Sequence, residues 1–154
     1  MANEIDMTEE EKIQYIVVKI GSEQYGIDIS YVDNIVRMQK ITRVPKAPSY
    51  YPGIINLRGE VVPVMSAHLK MGLGDDVETN KSRIIILKLE QQGLVGMVVD
   101  EVKEVITLGE SEIDRSAQNS KNRDSTYING IGKNGDDLIS IFEINAIVDE
   151  VAVS

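Results

Sequence analysis

The sequence predicts a mostly β protein: two similar lobes of about five strands each, packed on a shared apolar seam. Three observations predict it. First, 42% of the chain is hydrophobic, yet it holds six Tyr, one Phe and no Trp. A core of Ile, Val and Leu favours strands, because branched side chains suit a pleated, half-buried surface. Second, the apolar runs are short and divided by tight turn signals such as Gly21-Ser22, Arg58-Gly59 and Gln91-Gln92-Gly93, the spacing of a barrel or sandwich. Third, the chain repeats itself at an offset of roughly 70 to 77 residues, the mark of an internal duplication.

In chain order, strands are expected at 13–20, 24–29, 35–44, 54–57, 60–65, 84–89, 94–99, 105–108 and 137–142. Pro63 implies an edge strand or a bulge, since it cannot donate to a ladder. Asn134-Gly135 is a type I′ hairpin signal. The repeat aligns Gly26 with Gly96, Val32 with Val102, Ile35 with Val105, Gly53 with Gly130, and 60–65 with 137–142. Val32, Ile35, Val102 and Val105 are expected in the core, or bordering a groove between lobes. The lobes are expected at approximately 13–75 and 83–145, crossing near 73–82, within one domain over 12–151. Ile147, Val148 and Val151 fall on one side of a short closing helix. Residues 1–11, with Glu4, Asp6, Glu9, Glu10 and Glu11, are expected to form a flexible acidic arm. Thr8 with Glu11 has the spacing of a capping box.

Lys plus Arg is 16 and Asp plus Glu is 25, a net charge of -9. That balance argues against nucleic acid and anionic membranes as partners. No cysteine is present, which excludes disulfides and thiolate chemistry. No signal-peptide pattern or spanning run stands out, so a soluble, cytoplasmic protein is expected. His68 is the only histidine, which excludes a paired-His metal site within one chain, and it is expected to be a surface or structural residue and not a catalytic one. Gly130-Ile131-Gly132-Lys133 lacks the spacing of a phosphate loop. Asp75, Asp76 and Glu78 lack the pattern of a calcium loop and read as a solvated linker. No catalytic residue, cofactor or metal is expected. The singular feature is Gly53-Ile54-Ile55-Asn56-Leu57-Arg58-Gly59-Glu60-Val61-Val62-Pro63-Val64: two apolar strands about an Arg-Gly tip. A long arginine there suits gripping a partner's carboxylate or carbonyl oxygens, and Gly59 lets a partner's backbone come close.

That block resembles the signature of the CheW-type chemotaxis coupling proteins. The resemblance continues through Tyr25-Gly26-Ile27-Asp28-Ile29, Val32, Ile35, Arg43-Val44-Pro45 and Pro48. In the second half it runs through Gly96-Met97-Val98-Val99-Asp100-Glu101-Val102, Val105 and Tyr127-Ile128-Asn129-Gly130-Ile131. It implies a stand-alone CheW-like domain of two five-stranded SH3-like barrels; 154 residues leave no room for kinase, phosphotransfer or receiver domains. It further implies a non-enzymatic adaptor between the cytoplasmic tip of methyl-accepting chemoreceptors and the regulatory domain of the histidine kinase CheA, recruited to membrane-associated arrays. By similarity, Arg58 and Asn56 contact the receptor's helical tip, Val32, Asn34 and Val105 border or support that groove, Gly53 and Gly59 shape the motif, and the kinase faces the first lobe. The chain departs from the family at Asn34, where many members have Glu, and at Ser66-Ala67-His68, where many have an Asp-Leu-Arg-like run. A rival of another class, a small-molecule or ion-binding β-barrel sensor domain, predicts a saturable ligand that raises the melting temperature.

Overall fold

A computed structural model describes residues 10–116 and 127–148. The strands are β1 (Lys12–Ile20), β2 (Glu23–Asp28), β3 (Val32–Arg37), β4 (Gly53–Leu57), β5 (Glu60–Ser66), β6 (Arg83–Leu89), β7 (Gly93–Val99), β8 (Glu101–Gly109), β9 (Ile113–Asp114), β10 (Ile128–Asn134) and β11 (Asp137–Phe142). Two single-turn helices accompany them, α1 (Ala67–Lys70) and α2 (Ile144–Ile147). The expected closing helix is therefore present as α2, with Ile147 and Val148 buried; Val151 and Thr8 lie outside the described residues.

The strands form a six-stranded sheet, β8-β1-β2-β11-β10-β9, and a five-stranded sheet, β3-β6-β7-β5-β4. Neither corresponds to a contiguous lobe at 13–75 or 83–145. The first half lends its β1–β2 hairpin to the six-stranded sheet, and the second half lends β6–β7 to the other. Under the repeat, β8-β1-β2-β11-β10 maps onto β3-β6-β7-β5-β4, so the two halves have exchanged equivalent hairpins. The registers agree. Gly26 pairs with Ile141 in parallel, as Gly96 pairs with Val64. Gly53 pairs with Val64, as Gly130 pairs with Ile141. The ladders of β3 and β8 slip at the same place, skipping Asp33 between Val32 and Asn34, and Lys103 between Val102 and Glu104.

This exchange buries both faces of β1 and β6. Tyr15 and Val17 pack with Leu108, Ile113, Ile139 and Ile141. Ile84 and Ile86 pack with Ile55, Val62, Val64 and Val98. The alternate residues Ile16, Val18, Ile20, Ile85, Leu87 and Leu89 meet in one larger cluster between the sheets, the apolar seam. A strand buried on both sides reads as a continuous apolar run, as Ile84-Ile85-Ile86-Leu87 does.

Several local expectations are corrected. β5 is internal, between β7 and β4, so Pro63 does not mark an edge. It faces Ile54 across the ladder, and Ile54 spends both its N–H and its C=O on Thr42, each at 2.8 Å. The missing proline N–H is therefore not needed by β4. β3 begins earlier than expected and stops at Arg37; beyond it only Thr42 bridges to Ile54. The β10–β11 turn is centred on Gly135-Asp136, because Asn134 already pairs with Asp137. Gly130-Ile131-Gly132-Lys133 is strand, inside β10. Of the expected flexible arm, Glu10 is tethered: its carboxylate accepts the Ser111 N–H at 2.8 Å and the Ser111 hydroxyl at 2.6 Å.

Candidate protein-binding site

Strands β4 and β5 are joined by the two residues Arg58 and Gly59, since Leu57 pairs with Glu60. Both have positive φ, 52° at Arg58 and 84° at Gly59, as a type I′ turn requires. Gly59 is fixed by that conformation and not by crowding, for an added Cβ would meet nothing within 4 Å. Asn56 closes the turn by accepting the Gly59 N–H on Oδ1 at 3.0 Å. Gly53 has a different reason: a Cβ there would run into the carbonyl oxygen of Thr42. The result is an exposed arginine, without an ion-pair partner among the described residues, on a rigid two-residue tip.

The other three positions fall on two edge strands. Val32 and Asn34 lie on β3, and Val105 on β8. Val32 packs on the seam cluster, as does its repeat mate Val102. Ile35 and Val105 are 38% and 50% exposed, so of the two expectations for them, core or groove border, the core one is excluded. The register shift explains the pair, since each follows the skipped residue of its strand by two positions. Asn34 Oδ1 is buried without a hydrogen-bond partner. Arg58 stands at the β4–β5 tip and Asn34 on β3, and the chain leaving β3 returns to β4 at the Thr42–Ile54 bridge. Asn56, Arg58 and Gly59 thus form one feature, and Val32, Asn34 and Val105 lie on β3 and β8.

A second cluster went unseen in the sequence. His68, on α1, is buried, and its Nε2 donates to Asp100 at 2.9 and 3.0 Å from the two carboxylate oxygens. Asp100 also accepts the Gly21 N–H at 2.8 Å. The hydroxyl of fully buried Ser66 accepts the Leu69 N–H at 3.1 Å, capping α1, and hydrogen-bonds Asp76. Burial pushes the Asp76 carboxyl above its ordinary range, against the pull of Ser66 and His68. Asp76 is thus not part of a solvated linker, although Asp75 and Glu78 are exposed.

Fold and site together define a mostly β module with an exposed cationic tip and exposed edge-strand side chains. The family model of the CheW-like domain matches residues 14–152. The chain is 36% identical over 140 residues to the chemotaxis protein CheW of Helicobacter pylori, covering 90% of this chain and 83% of that one. It is 36% identical over 135 residues to the chemotaxis protein CheW of Bacillus subtilis, covering 88% and 86%. The crystal structure of the scaffolding protein TtCheW from Thermoanaerobacter tengcongensis superposes with a TM-score of 0.81 at 31% identity, covering 93% of this chain and 92% of that one. The chain belongs to the CheW-like family and is a chemotaxis adaptor. Among the described residues no helix is long and apolar enough to cross a membrane.

Proposed function

We propose that this adaptor couples the cytoplasmic tip of methyl-accepting chemoreceptors to the regulatory domain of the histidine kinase CheA, in the cytoplasm at membrane-associated arrays. In this reading Arg58, positioned by Asn56 and Gly59, grips oxygens on the receptor's helical hairpin. Val32, Asn34 and Val105 border or support the groove that receives it. An amphipathic helix docks by apolar anchors with a charge at the rim, and exposed Val105 and Ile35 suit the anchors. The kinase faces the first-half strands. The observation that carries the reading is the left-handed arginine at the tip. A non-glycine residue there costs on the order of 1 kcal/mol, and such strain is kept where a side chain must be presented.

The test is a pull-down of the purified protein with the CheA regulatory domain and, separately, with a soluble receptor-tip fragment. Capture of both is expected. A folded protein that captures neither would sink the coupling.

A further inference from the structure

We propose that His68, Asp76 and Asp100 form a site for one divalent transition-series cation such as Zn²⁺, which clasps the crossing segment to the second half of the chain. The three residues come from three places: α1, the irregular segment 71–82, and the junction of β7 with β8. One donor atom from each lies within 4.8 Å of the others. His68 is only 9% exposed, so the cluster is a built feature and not a chance meeting of surface carboxylates.

The hydrogen bonding is incomplete in a way that points to a cation. The Gly21 N–H orients Asp100, and a cation shared by His68 and Asp100 would replace the proton that Nε2 now donates. The Ser66 hydroxyl fixes Asp76. These are the supporting contacts that orient ligands around a metal. One acceptor is left over, Asp76 Oδ1, buried and without a hydrogen-bond partner. A buried polar atom left unmet is costly. Asp76 Oδ1 is an acceptor when ionised, and the carboxylates of Asp100 and Asp75 act on Asp76 with like charge. A divalent cation would add positive charge to a cluster in which one imidazole faces two carboxylates. One imidazole with two carboxylates suits Zn²⁺ and its neighbours, whereas Mg²⁺ and Ca²⁺ favour all-oxygen shells. None of the three residues is among those proposed to meet the receptor.

The experiment uses the full chain, stripped with EDTA and dialysed, and titrated with Zn²⁺ alone by calorimetry and by thermal melting, with Mg²⁺ as the comparison. One Zn²⁺ per chain is expected, with a melting temperature that climbs with Zn²⁺ concentration because only the folded state holds the site. Asp76→Asn should weaken Zn²⁺ binding by about tenfold or more, and Asp75→Asn, one residue away on the surface, should not. His68→Gln disturbs a buried ring and can fail to fold. Asp76→Asn sits in an irregular segment and keeps a polar group for Ser66, so it decides the matter alone. Absence of heat and of any melting shift in the unaltered chain would overturn the proposal. So would Zn²⁺ binding that Asp76→Asn leaves intact, or that Asp75→Asn weakens equally.

Discussion

At Arg58 the backbone has φ of 52°, a conformation glycine reaches without a Cβ penalty. The side chain and the backbone therefore pull in opposite directions, and two substitutions separate them. Arg58→Ala keeps the strain and removes the cation; it should weaken binding to a receptor-tip fragment by about 2 kcal/mol or more, as a lost hot-spot arginine does, with unchanged circular dichroism. Arg58→Gly should weaken binding as much while raising stability by about 1 kcal/mol. Receptor affinity unaffected in both variants would take Arg58 out of the interface. The turn itself was legible in sequence, because Asn56, Arg58 and Gly59 act within four residues of one another. The His68–Asp100 pair was not legible: its partners are 32 residues apart, and a lone histidine carries no mark of which carboxylate it will meet. The glycine of the aligned Gly26 and Gly96 blocks was visible; the aspartate four residues after Gly96 gave no comparable signal.

Individual strands were legible wherever their apolar runs were continuous, as at β1, β6 and β7. β9 and β10 were absent from the expected strands, because β9 has only two residues and β10 has three polar residues and two glycines among its seven. The repeat nevertheless placed Gly130 opposite Gly53, and the structure gives both the same ladder position. Gly26 and Gly96 show how closely these elements meet. A Cβ at Gly96 would lie 2.7 Å from Ile84 Cγ2, a branch at a stiff β-carbon, whereas at Gly26 the nearest atom is the side-chain end Ile141 Cδ1 at 3.0 Å, with the stiff branch Ile139 Cγ2 farther off at 3.2 Å. Gly96→Ala should therefore cost about 1–3 kcal/mol in overpacking, and Gly26→Ala clearly less. Equal losses in chemical denaturation would contradict this account of the two contacts.

The edge near β9 makes a pH-dependent prediction. Ser111, through its hydroxyl and then its N–H, holds the Glu10 carboxyl below the usual glutamate range. Arg115 does the same to Glu110, donating to its two oxygens at 2.8 and 2.7 Å. A carboxyl whose pKa is lowered by folding stabilises the native state above its unfolded pKa, and that contribution is lost as pH falls through the lower, folded value. The Ser111 amide resonance should accordingly titrate with a midpoint below that of a free glutamate. A midpoint at or above the ordinary value would mean that Glu10 does not hold Ser111 in solution.

For the whole molecule, the sequence predicted two lobes and a seam, and the structure contains the repeat, but each sheet is completed by a hairpin from the other half. Self-comparison could not reveal this. Two equivalent hairpins have the same pattern whether they pair within their own half or across, so the exchange leaves the apolar sequence unchanged. Its consequence is mechanical. The first half alone leaves β3, β5 and β4 without the β6–β7 hairpin that joins them, and leaves β1–β2 as an isolated hairpin, which is at best marginal in water. The second half faces the mirror problem, with β8, β10 and β11 deprived of β1–β2. A chain divided in the crossing segment, as residues 1–76 and 77–154, should therefore give two pieces that each lack β circular dichroism and a cooperative melt. Mixed in equal amounts they should regain the spectrum of the intact chain, because every missing ladder is supplied by the other piece. The intact protein should unfold in one transition, since the seam cluster draws on both sheets and neither can open without exposing it. A single fragment that melts cooperatively on its own would show that its strands can pair within one half, and that the exchange is not what holds the fold together.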